Sequence, residues 1–333
     1  MNKKIVVGTS ILINFLLVTS LIYNVKSAAL TLTLSSSKEK YTIGETITLN
    51  GTLTLDGAPV SDALVTIQIN LPNGALWVVR TKPTGTTIKT WPLEIVNATL
   101  YSGTSVRRGY SAGFTVTIRN NEMVDRNYTL MVSAFYANSV PFAIEEMIED
   151  TIGPYENKTI RSQYVVSIPS SAPVGEATAY FNIITDLPAN GGFAYGPEKS
   201  LTFNITDGGG GTPVSPVEEP EPSNGTYTLK LKTPSMYAVL GNYSVYALTS
   251  YLHYKVLSTC TFKIFLRGDV TGPNGIPDGK CDIRDVALVA KAFGSFPGYP
   301  NWNPIADLYV DNKIDIRDIA IVAFDYGKVG VIG

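Results

Sequence analysis

Between residues 29 and 266 apolar and polar positions alternate with a period of two. ALTLTL (29–34), ETITLNGTLTL (45–55) and ALVTIQIN (63–70) place Leu, Ile and Val on one side and Thr, Asn or Gln on the other. That pattern predicts strands with one buried and one wet face. DGAP (56–59) and PNG (72–74) are turn signals between them. The opening run ends near Lys89, and a second series begins: WPLEIVNATL, AGFTVTIRNN, NYTLMVSAFYA, RSQYVVSIPS, GEATAYFNIIT and SLTFNIT, all between 91 and 206. A Gly/Pro/Glu-rich stretch, 207–225, reads as a linker. About 40 further residues of strand pattern follow, up to 266. Beyond them the period changes: DIRDVALVAKAFG (282–294) and DIRDIAIVAFDYG (315–327) read as two short helices ended by Gly294 and Gly327. Ile283, Val286, Ala287, Ala290 and Phe293 share one helical face, as do Ile316, Ile319, Ala320, Ala323 and Tyr326.

Strand lengths constrain how these pieces combine. Residues 29–88 supply four or five strands, too few for a two-sheet core, which takes about 100 residues and seven strands. Residues 226–266 are shorter still and cannot bury a core alone. Together they make one domain. The chain is therefore expected to form a sandwich from 29–88 and 226–266, with 91–206 inserted in it as a second sandwich. Insertions succeed at exposed loops whose ends lie close together. The alternative is a string of separate units with a degenerate third repeat. If the split reading holds, Leu229 and Val245 pair with the strands of 47–69. Tyr41, Gly44 and Glu45 in YTIGETITLNGTLTLDGAPV form a Y-x-x-G-E turn that resembles the opening of bacterial and archaeal immunoglobulin-like domains. The 91–206 series resembles adhesion-type repeats of archaeal surface proteins. Both resemblances imply immunoglobulin-like sandwiches and a mostly β fold.

The acidic residues cluster late in the chain. Calcium takes six to eight oxygens, and a 12-residue loop supplies them from positions 1, 3, 5, 7, 9 and 12. DLYVDNKIDIRD fits with Asp307, Asp311, the Lys313 carbonyl, Asp315 and Asp318; Tyr309 at position 3 is a poor ligand, and Asn312 stands where Gly usually turns the chain. DVTGPNGIPDGKCDIRD fits with Asp269, Thr271, Asp278, the Lys280 carbonyl, Asp282 and Asp285, once PNGIP (273–277) is read as an outward bulge. Carboxylates at helix N-termini are favourable without a metal, but that accounts for one or two acids per copy. The spacing predicts two Ca2+ ions, and the metal is expected to stabilise a tail with little core of its own. A loop followed by one helix, repeated after 33 residues with Asp at position 12, resembles the type I dockerin module. FGS (293–295) and PNWNPIAD (300–307) add to that likeness. The resemblance covers 267–333; the insert, Tyr309 and Asn312 depart from it. It implies a cohesin-like partner met by Ile283, Arg284, Ile316 and Arg317, although the tail could equally dock on its own sandwich.

Charge and composition narrow the rest. Charged residues are 16% of the chain and its net charge is −2, with no basic run, which excludes a nucleic-acid partner. Lys3, Lys4 and the apolar run 5–25 read as a secretory signal or N-terminal anchor over 1–28, the chain's one expected contact with a membrane. Seven glycosylation sequons, at Asn50, Asn97, Asn127, Asn157, Asn204, Asn224 and Asn242, agree with export. The single histidine, His253, has no nucleophile–acid constellation beside it and excludes a multi-histidine zinc site. Cys260 and Cys281 are either a disulfide or, with Cys281 at an inward loop position, buried thiols. Trp77, Trp91 and Trp302 are candidates for stacking on sugars, though such residues more often serve cores or turns. The expectation is a non-catalytic, exported or surface protein: β-sandwich spacers or adhesion domains, with a dockerin-like calcium tail for attachment and surface glycans among its partners. The alternative is an accessory subunit of a polysaccharide-degrading assembly.

Overall fold

The computed structural model describes residues 29–86, 89–101, 103–207 and 223–333. The expected leader, 1–28, and most of the linker lie outside the described residues. The molecule is mostly β, of the sandwich class, with two short α-helices near its end. Among the described residues no helix is long and apolar enough to cross a membrane.

Among the described residues seven strands come first: β1 (Leu30–Leu32), β2 (Ser35–Ser36), β3 (Lys40–Thr42), β4 (Thr46–Leu55), β5 (Ala58–Pro59), β6 (Leu64–Asn70) and β7 (Leu76–Pro83). Eight more follow: β8 (Leu93–Leu100), β9 (Ser105–Arg107), β10 (Ser111–Asn120), β11 (Arg126–Tyr136), β12 (Pro141–Ile152), β13 (Asn157–Ser167), β14 (Gly175–Ile184) and β15 (Lys199–Thr206). The chain then makes β16 (Thr226–Lys232), β17 (Ala238–Tyr251), β18 (Tyr254–Phe265), helices α1 (Ile283–Ala292) and α2 (Ile316–Asp325), and β19 (Gly330–Ile332).

The late strands close the early sheets. One sheet runs β1-β4-β16, with β2 and β5 also on β4; the facing sheet runs β3-β18-β17-β6-β7. Leu229 of β16 stands opposite Leu49, and Val245 of β17 opposite Ile69. Alternation sends Ile47, Leu49 and Leu53 inward from β4 and Tyr227, Leu229 and Leu231 inward from β16. They meet Val65, Ile67, Tyr243, Val245, Phe262 and Ile264 of the facing sheet in one core. Gly51 interrupts the apolar series for a steric reason. A Cβ there would stand 2.2 Å from the ring of Tyr227, whose hydroxyl donates to the Thr33 carbonyl at 2.6 Å.

Between β7 and β16 the chain builds a second pair of sheets, β13-β10-β8 and β12-β11-β14-β15-β9, around a separate core that includes Phe114, Phe181 and Phe203. The two units meet across β7, where residues 78–82 are buried without alternation. The Val79 amide donates to Ser133 Oγ at 3.1 Å, and Ser133 Oγ donates to the Val79 carbonyl at 2.7 Å. Asn182 Nδ2 donates to that carbonyl as well, at 3.2 Å. Beside it Arg80, 1% exposed, forks onto Glu198 at 2.9 and 2.7 Å, while Lys82 and the Thr81 amide reach the same carboxylate at 3.0 Å each. The Arg80 guanidinium lies 3.3 Å from the centre of the Tyr180 ring. Burial by itself would raise the Glu198 carboxyl, but the charges of Arg80 and Lys82 prevail and hold it down at about 2.

The tail is joined to the first sandwich. β19 adds to β17 in parallel, pairing Ala238 with Gly330 and Leu240 with Ile332. The Tyr237 amide donates to the Val329 carbonyl at 2.6 Å. Val270, Cys281, Val289, Ala292, Ile314 and Val322 continue the core of that sandwich.

Candidate functional site

The two acidic loops are built alike. At position 1, Asp269 accepts from the amides of Asp278 (3.1 Å) and Gly279 (2.7 Å); Asp307 accepts from those of Asp311 (3.1 Å) and Asn312 (2.9 Å). Position 6 is left-handed in both, Gly279 at φ 83° and Asn312 at φ 63°. Asn is the side chain that tolerates this best after Gly, so Asn312 makes the same turn. At position 12, Asp285 accepts from the amides of Val270, Thr271 and Asp282 at 2.8, 2.8 and 2.7 Å. Asp318 accepts from those of Tyr309 and Asp315 at 2.9 and 2.8 Å. Each position-9 acid, Asp282 or Asp315, forms a capping box with the position-12 acid and starts a helix.

The PNGIP insert leaves this scheme unchanged. It follows Gly272, whose carbonyl accepts from the Gly275 amide at 2.9 Å. A Cβ on Gly272 would stand 2.4 Å from the Ile276 carbonyl oxygen, so the bulge needs glycine at its base. Lys280 and Lys313, the carbonyl positions, follow each turn, and their amides donate to Asp278 (3.2 Å) and Asp311 (3.1 Å).

The electrostatics of the loops are uneven. Asp285 and Asp318 are fully buried, and Asp269 nearly so. Burial lifts the Asp269 carboxyl to about 6, and the neighbouring Asp285 and Asp278 charges push the same way against two amide donors. Arg284 bridges Asp278 and Asp282 at 2.8 and 2.6 Å; Arg317 bridges Asp311 and Asp315 at 2.5 and 2.6 Å. These arginine hydrogen bonds hold the Asp282 and Asp315 carboxyls at about 2. Among the described residues no three acids are gathered into a ready-made metal cage. The donors are nonetheless all hard oxygens, and burial of like-charged acids in one loop favours a cation between them, so the residues fit Ca2+ chemically.

The sequence gives each helix a shared apolar face but not its direction. The apolar faces read from the sequence point outward: Ile283, Ala287, Ala290 and Phe293 of the first copy are exposed, as are Ile316, Ala320, Ala323 and Tyr326 of the second. The buried positions are Asp285, Val289 and Ala292 on α1 and Asp318, Val322 and Asp325 on α2. The reason is that the position-12 acid must face its own loop, and that rotates the opposite stripe to solvent. Buried Asp325 accepts from the Gly268 amide at 2.8 Å, a partner no local pattern signals. Ile283 and Ile316 are thus exposed, while Arg284 and Arg317 are half engaged with their own acids.

The remaining candidates separate clearly. All seven sequon asparagines are exposed. Both cysteines are free, and burial pushes the Cys260 thiol up to about 11 and the Cys281 thiol to about 12. Of the tryptophans, Trp77 packs on Tyr243 (5.0 Å) at the first core and Trp302 is half-buried against the same apolar cluster.

No known family model and no curated protein matches the chain. Among solved structures, it is similar at TM-score 0.28 and 11% identity to the alkylpurine DNA glycosylase AlkC of Pseudomonas fluorescens, over 35% of this chain and 31% of that one. A type II cohesin–X-dockerin complex from Acetivibrio cellulolyticus gives TM-score 0.19 and 22% identity, over 32% of this chain and 70% of that one. Trypsin-activated alpha-2-macroglobulin from Escherichia coli gives 0.23 and 9%, over 71% and 23%. The chain spans about a third of the length of the glycosylase.

Proposed function

We propose that this chain is a non-catalytic, exported modular protein of the cell surface or extracellular space. Its two sandwiches act as immunoglobulin-like spacer or adhesion domains, and its tail is a dockerin-like module that binds two Ca2+ ions and a protein partner. The observation that carries the reading is the matched hydrogen-bond scheme of the two loops, acid for acid, in copies 33 positions apart. Asp269, Thr271, Asp278, Asp282 and Asp285, with the Lys280 carbonyl, would hold one ion. Asp307, Asp311, Asp315 and Asp318, with the Lys313 carbonyl, would hold the other. The ion supplies the positive charge that these acids lack among themselves. Arg284 and Arg317 are partly exposed, so releasing the acids they bridge costs little.

The outward apolar stripes favour a second reading of the same tail. Its inner side is taken up by β17 and the first core, which leaves Ile283, Phe293, Ile316 and Tyr326 for another protein. On that basis the chain is an accessory subunit of a polysaccharide-degrading assembly, recruited through a cohesin-like partner. Calorimetric Ca2+ titration of the full chain tests the shared premise. Two binding events are expected, reduced to one by Asp285→Ala and by Asp318→Ala separately. Absence of binding heat together with an unchanged melting temperature in chelator refutes the reading.

A further inference from the structure

A cleft of about 510 Å3 opens where the chain leaves the first sandwich for the second. Four separate segments wall it. Trp91 comes from the connector before β8, Asn121 and Arg126 from the approach to β11, Phe193 and Tyr195 from the loop before β15, and His253 from the β17–β18 turn. Hydrogen bonds anchor the backbone that carries the rings. The Trp91 carbonyl accepts from Asn121 Nδ2 at 3.0 Å, the Phe193 amide donates to Thr185 Oγ1 at 3.0 Å, and the Tyr195 amide donates to the Ile183 carbonyl at 3.0 Å. Phe193 and Tyr195 stand edge to face, their centres 5.9 Å apart. Trp91 and Phe193 are half-buried and belong to neither hydrophobic core among the described residues.

The two cations that line the cleft are each paired with an acid. Arg126 donates to Glu122 at 2.6 Å, and Lys89, 5.0 Å from the centre of the Trp91 ring, has Asp62 at 3.9 Å. Lys255 lies 4.7 Å from the centre of Phe193 and reaches the Gly191 carbonyl at 3.5 Å. A phosphate or polyacid would need cations free of such partners. A purely apolar ligand would cover the His253 imidazole and the open hydrogen-bonding positions of Asn121 and of the Arg126–Glu122 pair without replacing their water. Aromatic rings beside a few convergent polar groups, at a junction between domains, suit a ligand with both C–H faces and hydroxyl edges.

We propose that this junction cleft binds a neutral saccharide, its ring faces against Trp91 and Phe193 and its hydroxyls on Asn121, His253 and the Arg126–Glu122 pair. The site lies on the sandwiches and does not depend on the calcium reading of the tail.

The test is calorimetry on the full chain at fixed Ca2+ with cellotetraose, mannotetraose and, as the acidic comparison, tetragalacturonate. At least one neutral sugar is expected to bind at millimolar concentration or below. Trp91→Ala and Phe193→Ala should each weaken it by about ten-fold or more, as truncation of a central aromatic contact does. The exposed His253→Gln should weaken it measurably. Tyr164→Ala, at an exposed ring on β13, should leave it unchanged. Failure of both neutral sugars to bind overturns the proposal. So does preference for tetragalacturonate, or retention of full affinity by Phe193→Ala and His253→Gln together. A tail without calcium affinity would leave this result standing, and the reverse also holds.

Discussion

Glu198 meets Arg80, Lys82 and the Thr81 amide in a junction nearly closed to water, and its carboxyl is held far below the ordinary 4.5 as a result. Removing its charge strands two cations. Glu198→Gln is therefore expected to destabilise the chain by about 3–5 kcal/mol, the scale for breaking a buried ion pair. The pH dependence follows from the direction of the shift. A depressed carboxyl stabilises the fold fully above its unfolded value, near 4.5, and that contribution fades as pH falls towards 2. Denaturant melts between pH 5 and pH 2 should show this loss in the wild type and little of it in Glu198→Gln. At Asn312 the left-handed turn sets a smaller scale. Asn312→Ala should cost about 1 kcal/mol and Asn312→Gly close to nothing, read as midpoints in urea at constant Ca2+.

At the scale of elements, the closing strands come from far along the chain. Leu229 sits opposite Leu49 with no exposed surface, so Leu229→Ala should cost about 2–5 kcal/mol. Amide exchange should report the loss in β4, with β10 and β14 of the other core unaffected. A slow β4 amide in the variant would mean that β16 does not cap that sheet. β19 is the other joint. It has three residues, yet it ties the tail to β17, and Gly330 approaches Leu240 so closely that a Cβ would stand 2.6 Å from its Cγ. A stop after Lys328 should hasten proteolysis of the tail while leaving the melting of the sandwiches in place. Equal cleavage rates would show that the shared core, and not the strand, holds the tail.

For the molecule as a whole, the tail shares its apolar cluster with the first sandwich, while the second sandwich keeps its own. Calorimetric melting should divide accordingly. Chelator should lower the transition that contains the first sandwich and spare the one that contains Phe114, Phe181 and Phe203. Glu198→Gln should separate the two further by weakening the joint at β7. A chelator effect on both transitions alike would mean that the units melt as one.

Period-two alternation alone specified most of the strands. The counts of 60 and 40 residues favoured β16–β18 completing what β1–β7 begin over a string of separate units, because neither piece holds enough apolar surface for a core. Acid spacing marked both loops and the starts of both helices, since capping and turn geometry are local. Three features needed the tertiary structure. Nothing local in LWVVRTKP signals that residues 78–82 are all buried, Arg80 and Lys82 included; that follows from the second sandwich lying against the strand. The apolar stripes of α1 and α2 are visible in the sequence, but their outward direction is not; the buried acids fix the rotation of each helix. Trp91, Phe193 and His253 stand 60 or more positions apart between neighbours and carry no common motif; the insertion of one sandwich into another brings them to one cleft. Local rules write themselves into short spacings, whereas burial and juxtaposition depend on which distant surfaces meet.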